Sequence, residues 1–198
     1  MSKCPNTNKL LQHLAENAKP LSGTKEFSKH PGIYGFFLSK GCLHIGRCKL
    51  TAGNGTLLYI GKTESSQRTR DARQHLANGG SGYSTLRRSL GALLLGQLSL
   101  KPQPRNGDIT SKRQCISYKF DCKGEKQLTK WMKKHLSLGF CELPDLTIAK
   151  LRAHEKRLIM SAQPPLNLLH NPSSCYSSKL RDERKRCASL ARMWSAER

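Results

Sequence analysis

The chain has 198 residues, with 35 Lys and Arg against 13 Asp and Glu, for a formal net charge of +22. That length holds one domain with extensions or two small ones, and a hydrophobic share of 36% permits only a modest core. So basic a chain fits a polyanionic partner, nucleic acid before an acidic membrane surface, and its scarce acids argue against a two-metal carboxylate cage.

The most apolar stretch, Ser89 to Leu100, is too short to span a membrane and is broken by Gly91, Gly96 and Gln97. The N-terminus shows no apolar core of a secretory signal, so a cytoplasmic location without membrane association is expected. Eight cysteines are present, but none stands in CxxC or zinc-finger spacing. Reduced thiols are the expectation.

In chain order, residues 1–30 read as a helical arm and linker. Leu10, Leu11 and Leu14 give residues 7–19 a helical apolar face, with Thr7 or Asn8 as cap and Pro20 as stop. A main domain over 31–170 follows. GIYGFFLS (32–39) and TLLYIG (56–61) are rich in strand-forming residues and bounded by glycine, and the tetrad Ala52-Gly53-Asn54-Gly55 lies between them. Two antiparallel strands joined by a long loop are expected.

Residues 64–77 read as a basic helix closed by Asn78-Gly79-Gly80, and Ser84 caps a second helix with Leu86, Leu90, Leu93 and Leu94 inward. Arg87 and Arg88 flank that face near its solvent end. Residues 101–114 read as loop. The alternation of Ile116, Tyr118 and Phe120 predicts a strand over 115–121. Helices over 125–137 and 145–162 come next, the latter opened by Pro144-Asp145 and stopped by Pro164-Pro165. Residues 171–198 form a Ser-rich, then basic, helical tail. The expected class is α+β, with a small central mixed or antiparallel sheet of about three strands flanked by helices.

The chemistry concentrates in two tripeptides, Gly32-Ile33-Tyr34 and Tyr59-Ile60-Gly61. Each sets a tyrosine beside a glycine on one of two paired strands, which brings two phenols to one surface. Cross-strand aromatic packing is the commoner fate of such tyrosines. Here Lys62, Arg68, Arg70, Arg73 and His75 follow directly, and Glu155 and Asn167 stand further on. Together these supply a base, an anion clamp and a metal ligand, the parts that phosphodiester hydrolysis requires.

Carried by these two tripeptides and by Arg70, His75, Glu155 and Asn167 in order, the chain resembles the GIY-YIG nucleases. The resemblance covers roughly residues 31–170. It implies a metal-dependent endonuclease acting on DNA. Tyr34 would be the general base; a phenol has a pKa of about 10 and needs nearby positive charge. Tyr59 would position water or phosphate. Arg70 would bind the scissile phosphate, although the family arginine stands four residues before the histidine, where this chain has Asp71, so Arg68 is a second candidate. His75 would relay the proton from Tyr34 or bond the phosphate. Glu155 would hold one Mg²⁺ or Mn²⁺, and Asn167 would buttress the site.

Lys62, Arg68, Arg73, Arg87 and Arg88 are the candidate nucleic-acid contacts. One active site per domain means that cutting both strands takes a homodimer or two visits. Two rival readings exist. Asp108 with Asp121-Cys122-Lys123 matches another nuclease pattern but leaves the tyrosines unexplained. A non-catalytic basic DNA-binding module accounts for the charge equally well.

Overall fold

The computed structural model describes residues 6–23, 28–53, 55–66, 75 and 80–194. Its main sheet is built from β2 (Gly32–Leu38), β5 (Thr56–Thr63), β8 (Leu136–Glu142) and the short β1 (Lys19–Pro20), in the order β1-β8-β2-β5. All three pairings are antiparallel. β2 has neighbours on both sides and all seven of its residues are buried.

The two faces of β2 feed two cores, as the period of two requires. Ile33 and Phe37 pack with Leu10 and Leu14 of α1 (Thr7–Glu16) and with Leu151, Leu158 and Ile159 of α5 (Ile148–Ala162). Tyr34, Phe36 and Leu38 face the larger core, with Leu86 and Leu90 of α2 (Thr85–Leu93), Leu128 and Met132 of α4 (Cys122–His135), and Leu180 and Cys187 of α6 (Ser177–Arg192).

A bulge in β5 decides where the second tyrosine goes. Phe36 pairs with Tyr59, but Phe37 pairs with Leu57, so Leu58 is an extra residue. The bulge lets Leu58 and Tyr59 both face the larger core, and with it Gly61 comes opposite Tyr34. Without it, Tyr59 would turn to the α5 face.

Several expectations are corrected. The α+β class with an antiparallel sheet stands, and the sheet gains a fourth strand; β8, in its interior, gives no signal in the chain because α4 passes into it at Leu136 with no glycine or proline between. The strand expected over 115–121 is instead the helix α3 (Lys112–Ile116), capped by Ser111, followed by the two-residue β7 (Lys119–Phe120) paired with β6 (Pro102–Gln103). The hairpin turn between the tyrosine strands lies at Gly46-Arg47, joining β3 (Cys42–Ile45) to β4 (Cys48–Thr51), with Gly46 at φ +62°. The 52–55 tetrad makes a second turn between β4 and β5, with the Gly55 N–H donating to the Ala52 carbonyl at 2.8 Å. Asn6, rather than Thr7 or Asn8, caps α1.

The ends also belong to the fold. β1 joins the sheet, α1 packs on β8, and the basic tail forms α6, which buries Leu180, Cys187 and Ala191 in the larger core. The helix expected over 64–77 falls almost wholly outside the described residues.

Candidate active site

Tyr34 and Tyr59 come together as the two strands predict. Their rings stack with centroids 6.4 Å apart and planes at 29°. Tyr34 is fully buried and Tyr59 is 7% exposed, so the phenols form the floor of the site. His75 stands edge-on to both rings and to Phe36.

The Tyr34 hydroxyl lies 2.8 Å from His75 Nε2. On the other side of the imidazole, Nδ1 lies 2.6 Å from Ser84 Oγ. Ser84 is the N-cap of α2, and its Oγ accepts the backbone N–H of Arg87 at 3.1 Å. Since Ser84 is fully buried, its hydroxyl hydrogen needs an acceptor, and among the described residues His75 Nδ1 is the one within reach. This count assigns the tautomer. Nδ1 is bare, Nε2 carries the hydrogen, and His75 donates to the Tyr34 oxygen. The direction is opposite to a proton relay from Tyr34 into His75.

Sequence reasoning placed Ser84 at the helix cap, and the cap is there. Its second contact, to His75, had no signal in the chain, since a capping serine looks the same whether or not a histidine folds onto it.

Asn167 holds the edge of the tyrosine strand. Its Oδ1 accepts the Ile60 N–H and its Nδ2 donates to the Ile60 carbonyl, both at 2.9 Å, and the Leu166 N–H bonds the Leu58 carbonyl. The side chain thus acts as a missing strand partner for the residue between Tyr59 and Gly61. Asn171 in turn donates to the Asn167 and Pro164 carbonyls, and Ser177 at the start of α6 donates to the Asn171 carbonyl.

Glu155 lies toward the other face of the sheet. Lys62, next to Gly61 but on the α5 side, stands 3.7 Å from Glu155 and 2.9 Å from Glu64. Arg152 grips Glu64 with both ends of its fork, at 2.8 and 3.1 Å. Hydrogen bonds from Arg152 and then Lys62 pull the Glu64 carboxyl from its ordinary 4.5 down to about 2. Glu64 is a member of this cluster that sequence reasoning missed; its pairing with Arg152 spans 88 positions.

The described contacts therefore gather the predicted residues into two groups, Tyr34–Tyr59–His75 and Lys62–Glu155. Arg68, Arg70 and Arg73 lie outside the described residues.

Arg87 is a correction. Expected on the surface as a nucleic-acid contact, it is fully buried and ion-paired with Glu125 at 2.5 Å. It also donates to the His75 carbonyl at 2.9 Å and to Thr129 Oγ1 at 3.0 Å. Glu125 completes its own bonding with Ser81 Oγ and the Phe120 N–H. A buried guanidinium needs such a fully paired shell. Its task is to tie α2, α4 and the His75 backbone together. Asp108 and Asp121, the rival nuclease carboxylates, serve as a turn and a helix cap.

Among the described residues no group of three or more His, Cys, Asp or Glu side chains is arranged to hold a metal ion, and no helix is long and apolar enough to cross a membrane. No curated protein and no solved structure matches the chain. The family model of the GIY-YIG catalytic domain matches residues 33–186, which take in both tyrosine strands, Glu155, Asn167 and most of α6. The chain belongs to the GIY-YIG family, and its domain is of the nuclease type, with DNA as substrate.

Proposed function

We propose that the protein is a metal-dependent endonuclease that hydrolyses DNA phosphodiester bonds, with Tyr34 as the general base. The observation that carries this reading is the buried chain Tyr34–His75–Ser84, which leaves His75 as a donor to the phenol oxygen. Burial by itself disfavours a phenolate, and a donated N–H offsets that cost. As phenolate, the Tyr34 oxygen takes a proton from the attacking water: one water O–H bond breaks and the tyrosine O–H forms. The water oxygen bonds to phosphorus while the P–O bond to the leaving strand end breaks.

Tyr59, stacked beside Tyr34, orients the water or a phosphate oxygen. Arg70, with Arg68 as the alternative, takes the scissile phosphate and its growing charge. Asn167 keeps Tyr59 and Gly61 in register through the Ile60 backbone.

The residues present fit a single divalent ion. Glu155 offers one carboxylate with its side chain 20% exposed, already within reach of one cation, Lys62. One accessible carboxylate suits Mg²⁺, which retains most of its waters and shares the substrate's phosphate oxygens. Bound there, Mg²⁺ or Mn²⁺ would supply charge stabilisation to the phosphate oxygens and leaving group.

Glu155→Gln keeps the shape of the side chain and removes the charge. In this variant a labelled duplex should still be bound while incision disappears. Cutting that survives Glu155→Gln would remove Glu155 from the site. Binding without cutting by the unmodified protein, with Mg²⁺ or Mn²⁺ present, would favour the non-catalytic binding module.

A further inference from the structure

Among the described residues Tyr83 is the one exposed aromatic side chain, at 65%, whereas Tyr34, Tyr59 and Tyr118 are buried. It ends the short 3-10 turn Gly80–Tyr83, in which Gly80, Ser81 and Gly82 are all buried. The turn is fixed from several directions. Ser81 Oγ donates to Glu125 at 3.0 Å, and the Ser84 N–H bonds the Ser81 carbonyl at 3.2 Å. Arg88, expected as a nucleic-acid contact, donates from Nη1 to the Ser81 and Gly82 carbonyls at 3.0 and 2.9 Å.

A single exposed apolar residue is common and by itself carries nothing. Tyr83 has a companion, Arg105, whose guanidinium carbon lies 5.0 Å from the centroid of its ring. The Arg105 stem crosses Gly82, where an added Cβ would come within 2.7 and 2.9 Å of its Cγ and Cδ. Arg105 Nε donates to Gln114 Oε1 at 3.0 Å, and its backbone N–H to the Gln114 carbonyl at 3.2 Å. Among the described residues no carboxylate pairs with Arg105, and its two terminal nitrogens have no hydrogen-bond partner.

Ring and guanidinium are thus set in place ahead of any ligand, with most of the ring open to solvent and the end of the arginine unspent. A fixed aromatic face beside a free cation matches a nucleotide, which joins a flat π-system to a phosphate. The place of the pair matters as well. Ser84, one peptide bond beyond Tyr83, reaches the Tyr34 oxygen through His75, in contacts of 2.6 and 2.8 Å.

We infer that Tyr83 and Arg105 form a stacking platform for an unpaired nucleobase of the DNA, with the free end of Arg105 on the phosphate beside it. In continuous duplex each base is covered on both faces by its neighbours, so an exposed ring meets only edges. A nucleobase in a single-stranded flank, or one turned out of the helix, offers its face. The substrate class is then DNA with a single-stranded segment next to the cut. Its position relative to the cut rests on the nuclease reading; the platform itself does not.

The test needs neither metal nor cleavage. Binding of the full chain is measured in EDTA to a single-stranded oligonucleotide of mixed sequence and to the blunt duplex of that sequence. Tyr83→Ala should weaken single-strand binding by about tenfold, as the loss of one stacked base does, and leave duplex binding unchanged. Tyr83→Phe keeps the stacking face and should bind both probes as the parent does. No charge is lost in Tyr83→Ala, so its salt dependence should match the parent's. Arg105→Gln should make the single-strand log–log slope shallower by about 0.7. A ring this exposed adds little to the core, so Tyr83→Ala should melt as the parent does, which also shows that it folds.

Single-strand binding untouched by Tyr83→Ala, or an equal loss on both probes, would overturn the platform. So would a Tyr83→Phe protein that binds as poorly as Tyr83→Ala. If single-strand binding depends on Tyr83 but the parent, given Mg²⁺ or Mn²⁺, cuts no duplex bearing a single-stranded flank, the nuclease reading fails and the platform stands. Cutting of that substrate kept in full by Tyr83→Ala would do the reverse.

Discussion

Gly61 lies directly across from Tyr34 in the β2–β5 pairing, and a Cβ added there would overlap the phenol ring and its hydroxyl. The last residue of the second tripeptide is therefore fixed by the first tyrosine. Glycine, with no Cβ, lets the phenol lie over the neighbouring strand and reach His75.

Gly61→Ala should accordingly push the Tyr34 phenol away from His75. The expected cost is about 1–3 kcal/mol in stability, read from the urea midpoint, as for overpacking in a core. Incision should fall by much more than this loss of folded protein explains. Full activity in a folded Gly61→Ala protein would show that the Tyr34–His75 contact is dispensable.

Ser84→Ala separates a capping role from a chemical one. Loss of the cap should cost about 1 kcal/mol. Loss of the hydroxyl also frees the imidazole to adopt either tautomer, so His75 no longer donates to Tyr34 in every molecule. The phenolate is then less favoured, and the ascending limb of the pH–rate profile should move to higher pH. A variant that is destabilised but keeps the parent profile would reduce Ser84 to a helix cap.

Glu64 gives a pH-dependent signature of the charge cluster around Lys62. Its carboxyl is held at about 2 in the fold against an ordinary 4.5. A depressed carboxyl stabilises the fold fully above the unfolded value and loses that contribution as pH falls toward the folded one. The melting temperatures of the parent and Glu64→Gln should therefore differ by a constant amount above about pH 5 and converge between 4.5 and 2. Because Arg152 is 62% exposed, added salt should shrink the difference. A gap that persists at pH 2 would mean that the glutamine disturbs packing instead of charge.

What the sequence made legible was local. The tyrosine strands, the Ser84 cap and the Pro164-Pro165 stop after α5 are each set by a few adjacent residues, and each stands where those residues put it. The missed features depend on partners far along the chain. β8 is a strand because β2 and β1 pair with it, while LSLGFCE by itself follows a helix without punctuation. Arg87 and Arg88 are neighbours of the same type, yet Glu125, 38 positions on from Arg87, draws one into the core and bonds it there, while the Nε of the other has no hydrogen-bond partner among the described residues. The apolar spacing Leu180, Cys187, Ala191 marks α6 as a core helix beneath its charged surface.

The central claim is that the Tyr34 oxygen removes the proton from water. It is tested most directly by cleavage of supercoiled plasmid with Mg²⁺ or Mn²⁺, comparing the unmodified protein with Tyr34→Phe. The ring is retained, so the packing against Tyr59 and His75 survives and DNA binding should persist. Removing a general base should slow incision by about a hundredfold or more. Metal-dependent nicking by the parent, abolished in a folded, DNA-binding Tyr34→Phe protein, is the predicted result. Equal nicking by both would contradict the assignment of Tyr34 as the base.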